Sequence, residues 1–172
     1  MASKSKGKSA KKKTSSRRAG SKKVPADAIS LLKADHRQVE TWFEEFEKAR
    51  SPDRKVSLAT KICDALTVHT QIEEEIFYPA FIEATEDKDL HHEAVVEHDG
   101  AKKLIAEIRA SGPDDDYYDA KVKVLSEMIK HHVKEEEQRD GMFAEAKQAD
   151  IDLKALGEQL LARKRELQAA AD

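Results

Sequence analysis

The sequence predicts an all-α protein: an up-down-up-down antiparallel four-helix bundle with an additional C-terminal helix and a disordered basic N-terminal tail. Charged residues make up 38% of the 172 residues and aromatic residues only 5%, with six glycines and four prolines. This composition suits helices better than sheets. From Val24 onward apolar residues recur with a period close to 3.6. Long periodic segments joined by short links are typical of an antiparallel bundle.

The first two helices are delimited by clear stop and start signals. The first is predicted over residues 27–49. Ser51-Pro52 then supplies an N-cap and a proline at the first helical position. The second helix is predicted to run to about Ala84. We expect it to bend near Pro79, because proline lacks the N–H that the helix needs.

Two further helices and a C-terminal segment follow. A polar stretch over residues 85–89 leads into a third helix that ends near Ala110. Ser111-Gly112-Pro113 and three aspartates stop it and start a fourth helix, which is predicted to continue to about Lys147. The predicted division is a tail over residues 1–24, a bundle over residues 25–148 and an amphipathic C-terminal helix over residues 149–172.

The N-terminal tail and the body carry opposite charges. Residues 1–23 contain ten basic and no acidic residues, a charge of +10, which leaves −13 for the rest of the chain. The other tail residues are mostly Ser, Gly and Ala, so we expect disorder. Clustered Lys and Arg could anchor the chain to nucleic acid or another anionic partner. A solubilising leader, or an intramolecular partner for the acidic body, fits the same composition.

Cysteine usage and hydropathy predict a cytoplasmic protein with no membrane span. The single cysteine, Cys63, has no partner for an intrachain disulfide, which favours a reducing compartment. No stretch approaches the roughly 18 apolar residues that a membrane helix requires. Cys63 lies near an apolar stripe, and we expect it to be a small core residue.

A polar pattern repeats within the apolar faces. His69 and Glu73, one helical turn apart, lie in the stripe formed by Ile62 and Leu66. His131 and Glu135 repeat this frame and continue a line from Val124 and Met128. His36 precedes His69 by 33 residues, and His98 precedes His131 by the same interval. The chain therefore reads as a 62-residue duplication in its polar core positions.

The intervals place the repeated residues at one height. The midpoint of each interval falls at a predicted turn, and antiparallel helices rise equally on both sides of a turn. Four histidines and two carboxylates at one level predict a two-metal site, with iron favoured over manganese or zinc. Histidines satisfied within the core are the alternative, at a high cost in desolvation. The predicted ligands are His36, His69, Glu73, His98, His131 and Glu135.

These motifs resemble the hemerythrin family, specifically the bacterial-type HHE cation-binding domain, over about residues 29–143. The resemblance implies a four-helix bundle with a non-haem di-iron centre and two iron ions. Ferritin-like bundles use Glu-x-x-His, which does not occur here. The resemblance rests on Asp35-His36, His69-x-x-x-Glu73-Glu74 with Phe77-Tyr78-Pro79, Glu97-His98, and His131-x-x-x-Glu135-Glu136.

The pattern departs from that of the oxygen carriers, which have a fifth histidine on the third helix. The positions four residues before and after His98 are Ala94 and Lys102, and His91 and His92 lie about two turns away. Both metals would then keep an open position, which favours peroxide, nitric oxide or redox chemistry over reversible oxygen carriage. Three further residues could act as additional or alternative ligands and fill an open position: Glu74, Glu136 and His132.

The function predicted from these observations is a di-iron protein that binds dioxygen or a related small oxidant. Its role would be oxygen or iron sensing, or protection against oxidative stress. One alternative is an enzyme that turns over peroxide or nitric oxide at the same site. The other is an iron-responsive interaction module whose basic tail binds nucleic acid.

Overall fold

The computed structural model describes residues 27–171, and within them all regular structure is helical. The basic tail predicted over residues 1–24 lies outside the described residues. The elements are α1 Ala28–Lys48, α2 Pro52–Ile72, a π-helical turn Glu73–Phe77, α3 Tyr78–Thr85, α4 Lys88–Ala110, α5 Tyr118–Glu137, α6 Met142–Gln148 and α7 Leu153–Ala171.

Four long segments form the predicted bundle. They are α1, α2 with its continuation through α3, α4, and α5. Helix α1 contacts α2 and α5, and α4 contacts the same two helices, so the four segments close into a ring. The all-α bundle and the additional C-terminal helix are confirmed. Across residues 27–171 no helix combines the length and apolar character that a membrane crossing requires.

The helix starts follow the sequence signals. The Asp27 side chain accepts a hydrogen bond from the backbone N–H of Ser30 at 2.7 Å. Ser51 accepts one from the backbone N–H of Arg54 at 3.1 Å, with proline in the first turn of α2. These side chains satisfy N–H groups that have no partner inside the helix. The predicted starts near Asp27 and at Ser51-Pro52 are confirmed.

The second bundle segment widens before Pro79 into a π-turn. The backbone N–H of Tyr78 bonds to the carbonyl of Glu73, five residues back, instead of the residue four back. In an α-helix, residues five apart are rotated by about 140° from each other. A π-turn brings such residues close to one face. The distortion expected near Pro79 therefore has a defined form, which aligns Glu73 with Tyr78.

The fourth bundle helix is shorter than predicted. It ends at Glu137, and α6 begins separately at Met142 instead of continuing the same helix to about Lys147. Gly141 lies at this break, where a Cβ atom would collide with the carbonyl oxygen of Glu135. The close approach of the chain to the end of α5 thus requires glycine. The break turns α6 back over the end of the bundle.

The C-terminal helix α7 packs against α1, α2 and the π-turn. Its Leu156 and Leu160 are buried in the same core cluster as α1 residues. Gly157 lies so close to the start of α1 that a Cβ atom there would meet the backbone nitrogen of Ala28 at 2.6 Å. Helix α7 therefore shares the core of the bundle.

Two apolar clusters divide the bundle along its length. One contains Phe43, Leu58 and Ile105, and the other contains Leu32 and Phe77. Among the buried polar residues, four histidines and two glutamates lie between the two clusters. The full set of buried polar residues is His36, His69, Thr70, Glu73, His98, Ser126, His132 and Glu136.

Candidate metal centre

Four imidazoles form two close pairs in the middle of the bundle. Nε2 of His36 lies 3.0 Å from Nε2 of His69. Nε2 of His98 lies 3.2 Å from Nε2 of His132. One pair spans α1 and α2, and the other spans α4 and α5. All four rings are at most 4% exposed. The structure thus contains two equivalent histidine pairs within one polar layer.

Two buried glutamates each face both histidine pairs. Oε1 of Glu73 lies 3.2 Å from Nε2 of His69, and its Oε2 lies 3.5 Å from Nε2 of His98. Glu136 does the reverse, since its Oε2 lies 3.3 Å from Nε2 of His36 and its Oε1 3.5 Å from Nε2 of His132. Each carboxylate can therefore bridge two cations, one at each pair.

A carboxylate also faces the outer nitrogen of each imidazole. The Nδ1–H groups of the α1 and α4 histidines each donate to a glutamate of the other repeat. In both cases this glutamate directly follows the buried glutamate of that repeat. His36 donates to Glu137 at 2.8 Å, and His98 donates to Glu74 at 3.0 Å. A carboxylate on Nδ1 fixes the tautomer in which the Nε2 lone pair faces inward.

The same arrangement holds on α2 and α5. Nδ1 of His132 donates to Glu97 at 2.7 Å. Nδ1 of His69 lies 3.5 Å from Oδ2 of Asp35. Asp35 directly precedes His36 on α1, and Glu97 directly precedes His98 on α4. Each of these dipeptides therefore supplies one inward imidazole and one carboxylate that faces the outer nitrogen of another imidazole. The duplication therefore includes the outer carboxylates.

The pKa values of the two rings in each pair are shifted in opposite directions. Burial lowers the pKa of His98 to about 4 and also lowers the pKa of His36. Burial acts in the same direction on His69, but Glu73 and other carboxylates outweigh it and raise the pKa of His69 to about 10. The pKa of His132 is likewise raised to about 9, against burial and by Glu136 first. In the absence of metal, the surroundings of each pair thus favour the charged form of one ring and the neutral form of the other.

These observations fit metal ions. The two Nε2 atoms of each pair face each other at the place where one cation would contact both. Two nitrogens about 2.1 Å from one ion, at a right angle to each other, lie about 3.0 Å apart. Both oxygens of Glu73 and Oε2 of Glu136 accept no hydrogen bond from any described residue, although both side chains are buried. Buried carboxylate oxygens without donors are expected where a cation binds.

Tyr78 makes the two positions inequivalent. Its hydroxyl lies 3.2 Å from Nε2 of His98 and 3.3 Å from Oε1 of Glu136. Burial raises the pKa of Tyr78 well above its ordinary value, so the phenol stays protonated and donates to Glu136. No comparable hydroxyl contacts the pair formed by His36 and His69 among the described residues. The expectation that both metals keep an open position stays a prediction.

The fourth bundle helix presents a different register from the predicted one. His132 and Glu136 point into the centre, whereas the side chain of His131 is 62% exposed and pairs with Glu135 at the surface. Val124, which lies on the face of this helix that was predicted to be buried, is also exposed. The buried line of α5 runs through Val122, Leu125, Ile129 and Val133. The expectation that His131 and Glu135 face inward is therefore wrong by one residue.

The remaining predicted residues converge as expected. His36, His69, Glu73 and His98 all lie in the buried layer. The neighbours His91 and His92 on α4 join none of the ligand groups found within residues 27–171. Those groups are His36 with His69, Glu73 and Glu136; Glu73 with His98 and His132; and Glu97 with His131 and Glu135.

Sequence reasoning missed several functional partners. No role was assigned to Glu137 from the sequence, but its side chain is only 19% exposed and accepts a hydrogen bond from His36. Asp35 and Glu97 were recognised as part of the motifs, without a role for their carboxylates. Their position directly before an inward histidine was the sequence signal that could have indicated this role. Tyr78 was also part of a motif, but its place beside the centre depends on the π-turn that aligns it with Glu73.

A small cavity lies against the four imidazoles. Its volume is about 10 Å³, which suffices for a single water-sized molecule. Val39, Leu66, Ile129 and Val133 form its apolar wall. A site of this size accommodates a very small ligand beside the histidine pairs and excludes an organic substrate.

Comparisons with known proteins agree with a helical domain that binds cations. The model of the hemerythrin HHE cation binding domain matches residues 27–144. The crystal structure of an HHE cation binding domain-containing protein from Mycobacterium kansasii is similar, with a TM-score of 0.71 and 25% identity, covering 84% of this chain and 89% of that one. A protein from Nostoc sp. named "DNA nickase" is 27% identical over 121 residues, 69% of this chain. The chain spans about a third of that relative's length.

Proposed function

The chain belongs to the hemerythrin HHE cation-binding domain family, and we propose that it binds two iron ions in the buried layer. The observation that carries this proposal is the double bridge, in which each of two glutamates faces both histidine pairs. Mixed imidazole and carboxylate donors suit iron, manganese and zinc, and a carboxylate-bridged pair favours iron. The proposed ligands are His36, His69, Glu73, His98, His132 and Glu136.

We propose dioxygen or a related small oxidant as the ligand of this centre, in a sensing or protective role. The cavity of about 10 Å³ against the imidazoles has room for one water-sized molecule, so the ligand must be very small. Bound iron would supply the electrons for redox chemistry. The chain's own residues hold the rings in one tautomer, exclude bulk water and keep a phenol O–H directed at Glu136. A cytoplasmic location stays a prediction.

Metal analysis tests the proposed stoichiometry. The full chain, reconstituted anaerobically with ferrous iron and passed through gel filtration, should retain two iron ions per chain. Glu73→Gln should lower this content, because it removes a bridging charge at both positions. Glu75→Gln is the matched control, since Glu75 lies on the same turn but pairs with Arg163 at the surface. Retention of fewer than two ions by the unaltered chain would refute the proposal.

An enzyme that turns over peroxide or nitric oxide would use the same ligands. The tyrosine hydroxyl beside His98 favours this alternative, because a buried O–H next to one position can deliver a proton. The iron-loaded chain should then consume hydrogen peroxide catalytically by disproportionation, or nitric oxide catalytically when an electron donor is added. Tyr78→Phe should slow consumption while the iron content stays at two per chain. Stoichiometric reaction without turnover would exclude the enzyme and leave sensing or protection.

A nucleic-acid partner for residues 1–23 is a separate proposal. It is supported by the charge of +10 on this segment, and the name of the Nostoc relative gives a further reason for the test. Binding to duplex DNA should disappear when residues 1–23 are deleted and should weaken steeply with salt, because clustered cations displace counterions. Equal binding by the full and shortened chains would contradict this proposal.

A further inference from the structure

A second group of potential ligands lies at the surface, beside the buried centre. Nε2 of His131 lies 3.3 Å from Oε1 of Glu97 and 3.1 Å from Oε1 of Glu135. The side chain of His131 is 62% exposed, and those of the two glutamates are 21% and 26% exposed. One imidazole nitrogen and two carboxylate oxygens thus converge where solvent can reach them. We call this group the surface triad.

The charge of the surface triad favours a cation. No lysine or arginine within residues 27–171 pairs with Glu97 or Glu135, or with Glu93 in the same cavity wall. The duplicated half of the bundle offers a comparison. There the outer oxygen of Asp35, which corresponds to Glu97, pairs with the ammonium of Lys164 from α7. The first repeat therefore has a lysine ammonium beside its outer carboxylate, whereas the second repeat has an imidazole and a further carboxylate there.

The surface triad also connects directly to the buried layer. Oε1 of Glu97 faces Nε2 of His131. Its Oε2 accepts a hydrogen bond from Nδ1 of His132 at 2.7 Å. A narrow cavity passes alongside, lined by residues of the triad and by His132 and Glu136. Glu136 is only 2% exposed, and its Oε2 accepts no hydrogen bond within the described part of the chain. Oxygen ligands therefore continue from the surface to the interior.

We propose that His131, Glu97 and Glu135 form a divalent-cation site that captures ferrous iron at the surface and passes it to the buried centre. Capture needs few ligands and an open coordination sphere, so that the ion can leave again. Three protein ligands at an exposed position meet that need, since solvent completes the coordination. The second half of this inference, the transfer inward, rests on the function proposed above; the binding of a cation by the surface triad does not.

The test compares two double variants of the full chain. H131A/E135Q removes two of the triad ligands at exposed or half-buried positions and leaves Glu97 in its contact with His132. H92A/E127Q is the matched control, because it removes an exposed histidine of α4 and an exposed glutamate of α5 outside the triad. Metal-free protein is dialysed anaerobically against rising concentrations of ferrous iron. Uptake rates are followed by competition with a ferrous chelator.

We expect the unaltered chain and the control to bind two ions tightly and a third more weakly. H131A/E135Q should lose the third ion, keep the tight pair and fill it at least about tenfold more slowly. If H131A/E135Q matches the control in both content and rate, the triad is only an ion pair and the inference is wrong. If the third ion is lost but the rate is unchanged, delivery is refuted and capture stands. A weak ion that depends on the triad, with no tight pair, would instead refute the proposed function.

Discussion

At the scale of single residues, the orientation of the imidazoles depends on carboxylates outside the centre. The outer nitrogen of His36 contacts Glu137, and that of His132 contacts Glu97. Because a carboxylate accepts from Nδ1–H, Nε2 is directed to the bundle axis, where the neutral ring presents a lone pair. Two adjacent histidines on α5 are thereby given different environments. His132 is 4% exposed, while His131 lies at the surface.

Substitution of these neighbours should have unequal effects on tightly bound metal. His132→Gln should reduce the iron content after gel filtration to one ion per chain or fewer, because it removes an imidazole from the buried pair. His131→Gln should leave two tightly bound ions. Metal analysis of both variants, prepared side by side, checks this. Equal losses, or a larger loss for His131→Gln, would contradict the register in which His132 faces inward.

Cys63 should be chemically inert in the folded protein. The side chain is 1% exposed, and burial raises the pKa of its thiol to about 11. The thiolate is the reactive form, so the thiol stays protonated and unreactive at pH 8, and reactivity should rise only as the pH approaches 11. A disulfide reagent at pH 8 should modify it slowly in buffer and quickly in denaturant. Rapid modification in buffer would show that the thiol is accessible.

At the scale of helices, two irregular features position the centre. The π-turn brings Tyr78 to the face that carries Glu73, and the break after Glu137 lets α6 fold over the end of the bundle. Phe143 of α6 then stacks on His36, with ring centroids 5.8 Å apart. Helix α7 adds a contact from outside, since Lys164 pairs with Asp35 behind His69. The irregular and accessory helices therefore complete the surroundings of the centre.

The close packing of α7 on the start of α1 gives a test at this scale. Gly157→Ala should destabilise the protein by about 1–3 kcal/mol, because the new methyl group meets the backbone of Ala28. This cost outweighs the roughly 1 kcal/mol that alanine gains over glycine within a helix. Gly112→Ala is the control, since its Cβ would have no atom within 4 Å. Urea unfolding measures both, and equal midpoints would show that α7 is loosely attached.

At the scale of the whole molecule, an ionisable layer interrupts an otherwise apolar core. The layer between the two apolar clusters contains four histidines and two glutamates that are nearly inaccessible to water. Burying so many ionisable groups costs free energy unless a charge compensates them. Protonation of a histidine in each pair supplies part of that compensation, and two cations would supply more. Metal binding in this layer would therefore stabilise the entire bundle.

Removal of metal should lower the stability of the chain. A ligand that binds only the folded state contributes about 2.7 kcal/mol when its free concentration is 100 times its Kd. We therefore expect a higher melting temperature in the presence of ferrous iron than in the presence of a chelator, measured anaerobically. The His98→Gln variant should show a smaller difference, because it binds less metal. Identical melting of the loaded and chelated protein would contradict this coupling.

The sequence by itself determined the fold class and most of the centre, because both depend on local periodicity and on repeated intervals. Helical spacing placed His36, His69, Glu73 and His98 on inward faces, and the structure confirms that burial. The family resemblance followed from the same motifs. What these patterns share is that each depends on the regular rise and rotation of an α-helix.

Only the tertiary structure decided the features that depart from this regularity. The inward histidine pairs are 33 and 34 residues apart, so a strict repeat selected His131, while the packing of Leu125 and Ile129 buries His132. The π-turn rotated Tyr78 into the layer, and the opposite repeat supplied Glu137 as an acceptor. Helix rotation is fixed by which face the whole core buries, and the 33-residue interval does not report that face. The apolar spacing of Val122, Leu125 and Ile129 on α5 is the local signal that agrees with the observed rotation.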